Sequence, residues 1–203
     1  MRPLALLLLT LLAGAACAEC ECIWRGSFSD VQGDTDLVVS GRVVRSKGNS
    51  IDLAIASRLD GGAAPEEVRI WLHTGDYCRP EVDLFPVDTE WVMALDRIDE
   101  AVPGGFNPNT PNVSYGRVGD YSLSSCGGYW LRLSDNWVTG NLVDAPRWAR
   151  EPKMTPVLLD LVADYIVGEV DASALLDASR EDPAVRELML DTKAFLREAL
   201  DSD

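Results

Sequence analysis

Residues 36–57 read DLVVSGRVVRSKGNSIDLAIAS, and this stretch decides the fold class. Its first ten residues, Asp36 to Arg45, are dense in β-branched valine, with Gly41 marking a bend or bulge in a strand. Lys47-Gly48-Asn49 is a turn, and Ser50 to Ser57 places Ile51, Leu53 and Ile55 on one face as the hairpin partner. Further along, Val68 to His73 and Glu90 to Leu95 read as a third and a fourth strand. Shorter strands are predicted at Tyr121 to Ser125, Tyr129 to Leu133 and Trp137 to Leu142, with Ser134-Asp135-Asn136 as a turn and a Gly/Pro/Asn-rich loop at Gly104 to Pro111. Many short strands between turn signals indicate an antiparallel barrel or sandwich.

The pattern changes near Ala145-Pro146. From Thr155 the spacing of Val157, Leu158, Leu161, Val162, Tyr165 and Ile166 is helical, with Gly168 ending that helix. A short helix capped by Asp171 follows, and Asp182-Pro183 opens a final amphipathic helix carrying Val185, Leu188, Met189, Phe195, Leu196 and Leu200. The organisation expected is a targeting segment at 1–18, a β domain at 19–145 and an acidic helical extension at 146–203. Residues 151–203 hold 13 acids against 5 bases, an acidic face that is most simply solvent-facing.

Apolar residues at 47% and charged residues at 25% match ordinary globular usage and argue against a disordered chain of 203 residues. The net charge of −15 repels phosphate backbones, so nucleic acid is not an expected partner. With His73 as the single histidine, a multi-histidine metal site is excluded. Arginine greatly outnumbers lysine, which with abundant Ala, Gly and Asp points to a GC-rich bacterial genome.

Met1-Arg2-Pro3 followed by the apolar run Leu4 to Leu12 and the small residues Ala16-Cys17-Ala18 has the form of a signal peptide. Cleavage after Ala18 leaves Glu19 at the mature N-terminus, and the apolar run is too short to span a bilayer. A lipobox-like alternative cleaves before Cys17 and lipidates it; either route exports the protein to the periplasm or the medium. The mature chain then holds Cys20, Cys22, Cys78 and Cys126, an even set in an oxidising compartment. Of the three pairings, one containing a Cys20–Cys22 bridge would close a very tight ring. Each N-terminal cysteine therefore seeks a distant partner, one at Cys78 and the other at Cys126.

No enzyme constellation is visible. His73 has no nucleophile motif beside it, since Ser124, Ser125 and Ser134 lie in no recognisable pattern. Asp34-Thr35-Asp36 lacks the twelve-residue calcium loop and reads as a turn. Asn112-Val113-Ser114 forms a glycosylation sequon that reads as an ordinary loop. Trp24, Trp71, Trp91, Trp130, Trp137 and Trp148 read as core and barrel-cap residues rather than a carbohydrate platform. Nothing calls for a cofactor or a metal.

The Cys20-Glu21-Cys22 start, the Ser29–Arg45 stretch with Asp36-Leu37-Val38-Val39, and the late Ser125-Cys126 resemble the tissue inhibitors of metalloproteinases and the wider netrin-like module, over about residues 19–142. The chain is also similar to bacterial secreted proteins that begin Cys-x-Cys-x-Trp. The resemblance implies a mainly β fold, a five-stranded Greek-key OB-type barrel, here with a C-terminal α-helical extension. It implies the pairing Cys20–Cys78 and Cys22–Cys126, and a ridge of Glu19, Cys20, Glu21 and Cys22 as the edge that contacts a protease. In that family the first cysteine is the terminal residue, and its amine and carbonyl chelate the target's zinc. Glu19 ahead of Cys20 turns that amine into an amide, which lacks the lone pair a Zn–N bond requires. Glu21 also replaces the small residue that enters the protease pocket. The expected function is thus a non-catalytic secreted or envelope protein-binding module, with metalloprotease inhibition through the ridge as the alternative.

Overall fold

A computed structural model describes residues 22–74, 77–101, 114–145 and 156–180. The signal segment with Cys17, the ridge residues Glu19, Cys20 and Glu21, the 104–111 loop, Trp148 and the final helix from Asp182 lie outside the described residues. Among the described residues, eight strands form one sheet: β1 (Leu37–Lys47), β2 (Ser50–Gly61), β3 (Glu67–Trp71), β4 (Glu90–Arg97), β5 (Tyr121–Ser122), β6 (Trp130–Ser134), β7 (Trp137–Gly140) and β8 (Val157–Leu158). Three short α-helices among the described residues, α1 (Phe28–Val31), α2 (Leu159–Ile166) and α3 (Ala172–Ser179), accompany it.

The first five strands close on themselves. β1 pairs antiparallel with β2, β2 with β3, and β3 runs parallel to β5 at Ile70 and Tyr121. β5 pairs antiparallel with β4, and β4 returns to β1 from Leu37 opposite Leu95 to Arg42 opposite Glu90. A strand serving two neighbours around so small a barrel must coil, and β1 does so through register shifts, one of them between Ser40 and Gly41. A Cβ at position 41 would collide with the carbonyl oxygen of Ala54, so the glycine is required there. The inner faces supply Leu37, Val39, Val43, Ile51, Leu53, Ile70, Met93 and Leu95, all buried.

β6, β7 and β8 extend the sheet from β4, whose free edge is shared between β5 at its end and β6 at its start. The β6–β7 turn has left-handed backbone at Asp135 (φ 49°) and Asn136 (φ 68°), as a two-residue hairpin turn demands. Phe85 packs edge-on against Trp91 at 5.0 Å and Trp130 at 5.8 Å. Trp137 departs from the expected core role: Val138 takes the inward position on β7, leaving Trp137 47% exposed beside Leu158 on β8.

Two buried polar knots hold the strand ends. Asn49, in the β1–β2 turn, donates from Nδ2 to the carbonyls of Leu72 (3.1 Å) and Ser114 (2.8 Å) and accepts from Ser114 N (2.9 Å). Asp52, 5% exposed, receives a two-pronged bond from Arg69 at 2.7 and 2.9 Å, with Arg45 at 3.0 Å. That fork raises the Arg69 pKa, chiefly through the hydrogen bond to Asp52.

The C-terminal stretch corrects the sequence reading at one point. Val157 and Leu158 are not helical; they pair with Val138 and Trp137 as β8, and the helix begins only at Leu159. α2 then runs to Ile166, with Gly168 beyond it in left-handed backbone, and α3 is capped by Asp171, whose side chain accepts from Ser173 N and Ala174 N. Val162 of α2 and Leu175 of α3 join the same hydrophobic core as the barrel strands.

Candidate functional site

Four separate stretches converge where the chain enters the barrel. The segment from Cys22 to Ser29 lies against the β5–β6 connection: Arg25 N donates to Cys126 O (2.8 Å), and Gly128 N to Gly26 O (2.9 Å). Phe28 N and Ser29 N then donate to Asn141 O (2.7 Å) and Leu142 O (2.9 Å) beyond β7. Gly128 has no room for a side chain, because a Cβ there would press on Asn141 O and Phe28 N, each 2.7 Å away. From the other side, Ser125 N donates to Cys78 O at 2.9 Å.

This backbone weave brings the sulfurs together. Cys22 and Cys126 form a disulfide with 5.7 Å between their Cα atoms, closing a sequence separation of 104 residues. Cys78 is disulfide-bonded as well, and the Cys20–Cys78 pairing lies outside the described residues. The Sγ atoms of Cys22, Cys78 and Cys126 all lie within 4.8 Å of one another. These are the metal-ligating residue types that converge among the described residues, but a sulfur held in a disulfide is not the thiolate a metal needs.

The residues beside the knot are aromatic and cationic. Arg79 donates to Tyr115 O at 2.6 Å and its guanidinium lies 4.7 Å from the Tyr77 ring centre, while the two tyrosine rings sit 5.1 Å apart. Burial lowers the Arg79 pKa, with Tyr77 opposing the shift, and the group keeps its charge at any accessible pH. On the outer side of the knot, Ile23 is 88% exposed, one residue from the Cys22 bridge. Sequence reasoning missed α1 and the Tyr77–Arg79–Tyr115 group. The Ser27-x-x-Asp30 spacing was a usable signal for the helix, since Ser27 N donates to Asp30 Oδ2 at 2.7 Å. The aromatic group had no local signal, because its members meet only through the fold.

The other candidates disperse. His73 Nδ1 lies 3.1 Å from Glu81 Oε1 at the surface, and its backbone N donates to Pro80 O. Ser124 Oγ accepts from Cys126 N at 3.1 Å, so it serves the local turn, and Ser134 ends β6 exposed. Asp34 pairs with Arg25 (3.4 Å), and Asp36 accepts from Arg97 N (2.7 Å), so the two carboxylates of Asp34-Thr35-Asp36 have different partners.

Asp96 is half-buried at the end of β4. Burial raises its carboxyl pKa, the Asp36 charge adds to the shift, and Arg25 opposes it. A carboxyl raised on folding holds its proton more tightly in the native state, so stability falls as pH rises from the unfolded value through the folded one. The penalty is complete above the folded pKa. Asp96→Asn is therefore expected to raise the melting temperature at pH 7 and to lose that advantage below about pH 4, where the carboxyl is protonated in both states. Thermal melts of the two proteins across that range check it; a variant less stable at pH 7 than at pH 4, relative to wild type, contradicts the assignment.

The closed circuit β1-β2-β3-β5-β4 with its parallel β3–β5 contact defines an OB-type barrel, mainly β, carrying C-terminal helices. Compared with known proteins, the chain matches no protein-family model, no curated protein and no solved structure.

Proposed function

We propose that this chain is a non-catalytic, exported protein-binding module on a scaffold like that of the tissue inhibitors of metalloproteinases and netrin-like domains. The observation that carries this reading is the pinned N-terminal edge: Cys22 is bridged to Cys126, the backbone behind it is hydrogen-bonded into the barrel, and Ile23 stands 88% exposed beside the bridge. An apolar side chain on a segment already ordered loses little further entropy on docking. The signal-peptide pattern at 1–18 supports export to the periplasm or medium, with a lipid anchor at Cys17 as the other route. No helix among the described residues is long and apolar enough to cross a membrane.

The test uses Ile23→Glu, which places a charge at the edge without touching the core. Protein-binding predicts a partner retained from envelope or secreted extracts by wild type and lost with Ile23→Glu at an unchanged melting temperature. Equal retention by both proteins, or none by either, overturns the reading. The inhibitor alternative is favoured by the same pinned edge and opposed by Glu19. Titrating zinc endopeptidases with the Glu19 form, a form beginning at Cys20, and that form carrying Glu21→Ser separates the two. Inhibition by the native Glu19 form promotes the inhibitor reading.

A further inference from the structure

We propose that Cys22, Cys78 and Cys126 form a thiol-exchange site, in which opening the Cys78 bridge transfers the disulfide from Cys22–Cys126 to Cys78–Cys126. The three sulfurs lie within 4.8 Å of one another, although Cys22 and Cys126 are bonded to each other and Cys78 belongs to a second bridge. A sulfur released at Cys78 is therefore within 4.8 Å of both sulfurs of the Cys22–Cys126 bridge. The backbones that bring them there are tied by hydrogen bonds as well as by sulfur: Ser125 N donates to Cys78 O at 2.9 Å, and Arg25 N donates to Cys126 O at 2.8 Å. Cys22 and Cys78 are only half-buried, within reach of a small reductant or of the thiolate of an oxidoreductase.

The chemistry balances without further reagents once the first bridge is opened. A thiol or phosphine reductant delivers two electrons to the Cys78 bridge and leaves a thiol on each of its sulfurs. The Cys78 thiolate then attacks the Cys126 sulfur. The Cys78–Cys126 bond forms, the Cys22–Cys126 bond breaks, and the electron pair leaves on the Cys22 sulfur, which takes a proton from solvent. No net oxidation accompanies this second step.

The result is directional for the fold. The barrel keeps a staple between the β3–β4 and β5–β6 connections, while Cys22, and with it the segment bearing Ile23, loses its covalent tie. The partner class is a thiol reductant or a thiol–disulfide oxidoreductase, and the inference stands without the protein-binding reading.

Two measurements on the full mature chain test it. Wild-type protein treated with one equivalent of a phosphine reductant, held at mildly alkaline pH, alkylated and mapped without reduction should yield Cys78–Cys126 peptides together with alkylated Cys22. In Cys22→Ser, which frees Cys126, the map should show Cys78–Cys126 as the major linkage. Concentrated guanidinium should depress that linkage in both proteins, because the proximity is a property of the fold. Cys126 recovered as a free thiol in Cys22→Ser with Cys78 still in its original bridge overturns the proposal. So does a Cys78–Cys126 yield no higher in native buffer than in guanidinium.

Discussion

A chain truncated after Asp144 should lose most of its stability. Val157, Val162 and Leu175 are buried in the same core as the barrel strands, and each is worth about 1.5–3 kcal/mol when removed from water. Three such side chains represent about 5–9 kcal/mol as an upper estimate, against a total of about 5–15 kcal/mol for a domain. Removal would also strip β8 from β7 and delete the bond from Tyr165 Oη to Ser29 O at 2.7 Å, which ties α2 to the N-terminal segment. The expected melting temperature falls by at least about 10 °C, or the cooperative transition disappears. Calorimetry of the two chains decides the matter. An unchanged transition would make the tail a separate module and would contradict the shared core.

The second large effect is expected from Cys22→Ala combined with Cys126→Ala. Replacing both partners leaves Cys78 in its own bridge, so no odd thiol complicates the reading. The bridge closes 104 residues of sequence, and the chain-entropy model gives about 4.7 kcal/mol for a loop near that length. Native bridges in small secreted domains return about 2–5 kcal/mol. The hydrogen bonds from Arg25, Phe28 and Ser29 remain and keep part of the N-terminal segment in place, which favours the lower half of that range. Guanidinium unfolding measures it. A loss under about 1 kcal/mol would show that the weave, and not the bridge, anchors the edge.

The two effects differ in origin. The truncation acts on the folded state by exposing core, whereas the bridge acts chiefly by limiting the unfolded chain. Applied together, they should add if the tail and the edge are independent. Tyr165 touches Ser29 in the edge segment, so some coupling between them is expected.

Local sequence specifies the strands that build the barrel, from the valine-rich run at 36–45 to the Trp137 hairpin, because alternation of period two and turn residues act within a few positions. It also specifies the bend at Gly41 and the Asp171 cap, where one residue type meets a local geometric demand. Long-range contacts set the rest. β5 lies parallel to β3 at only two positions, and Val157–Leu158 leave a helical pattern to pair with β7, since both choices are set by neighbours distant in the chain. The candidate site belongs to this second class. Cys78 is more than forty residues from both Cys22 and Cys126, and Arg79 meets Tyr115 across a similar gap. No local pattern encodes such meetings, because they arise only once barrel closure and the buried Asn49 contacts to Leu72 and Ser114 have set the positions of the connecting loops.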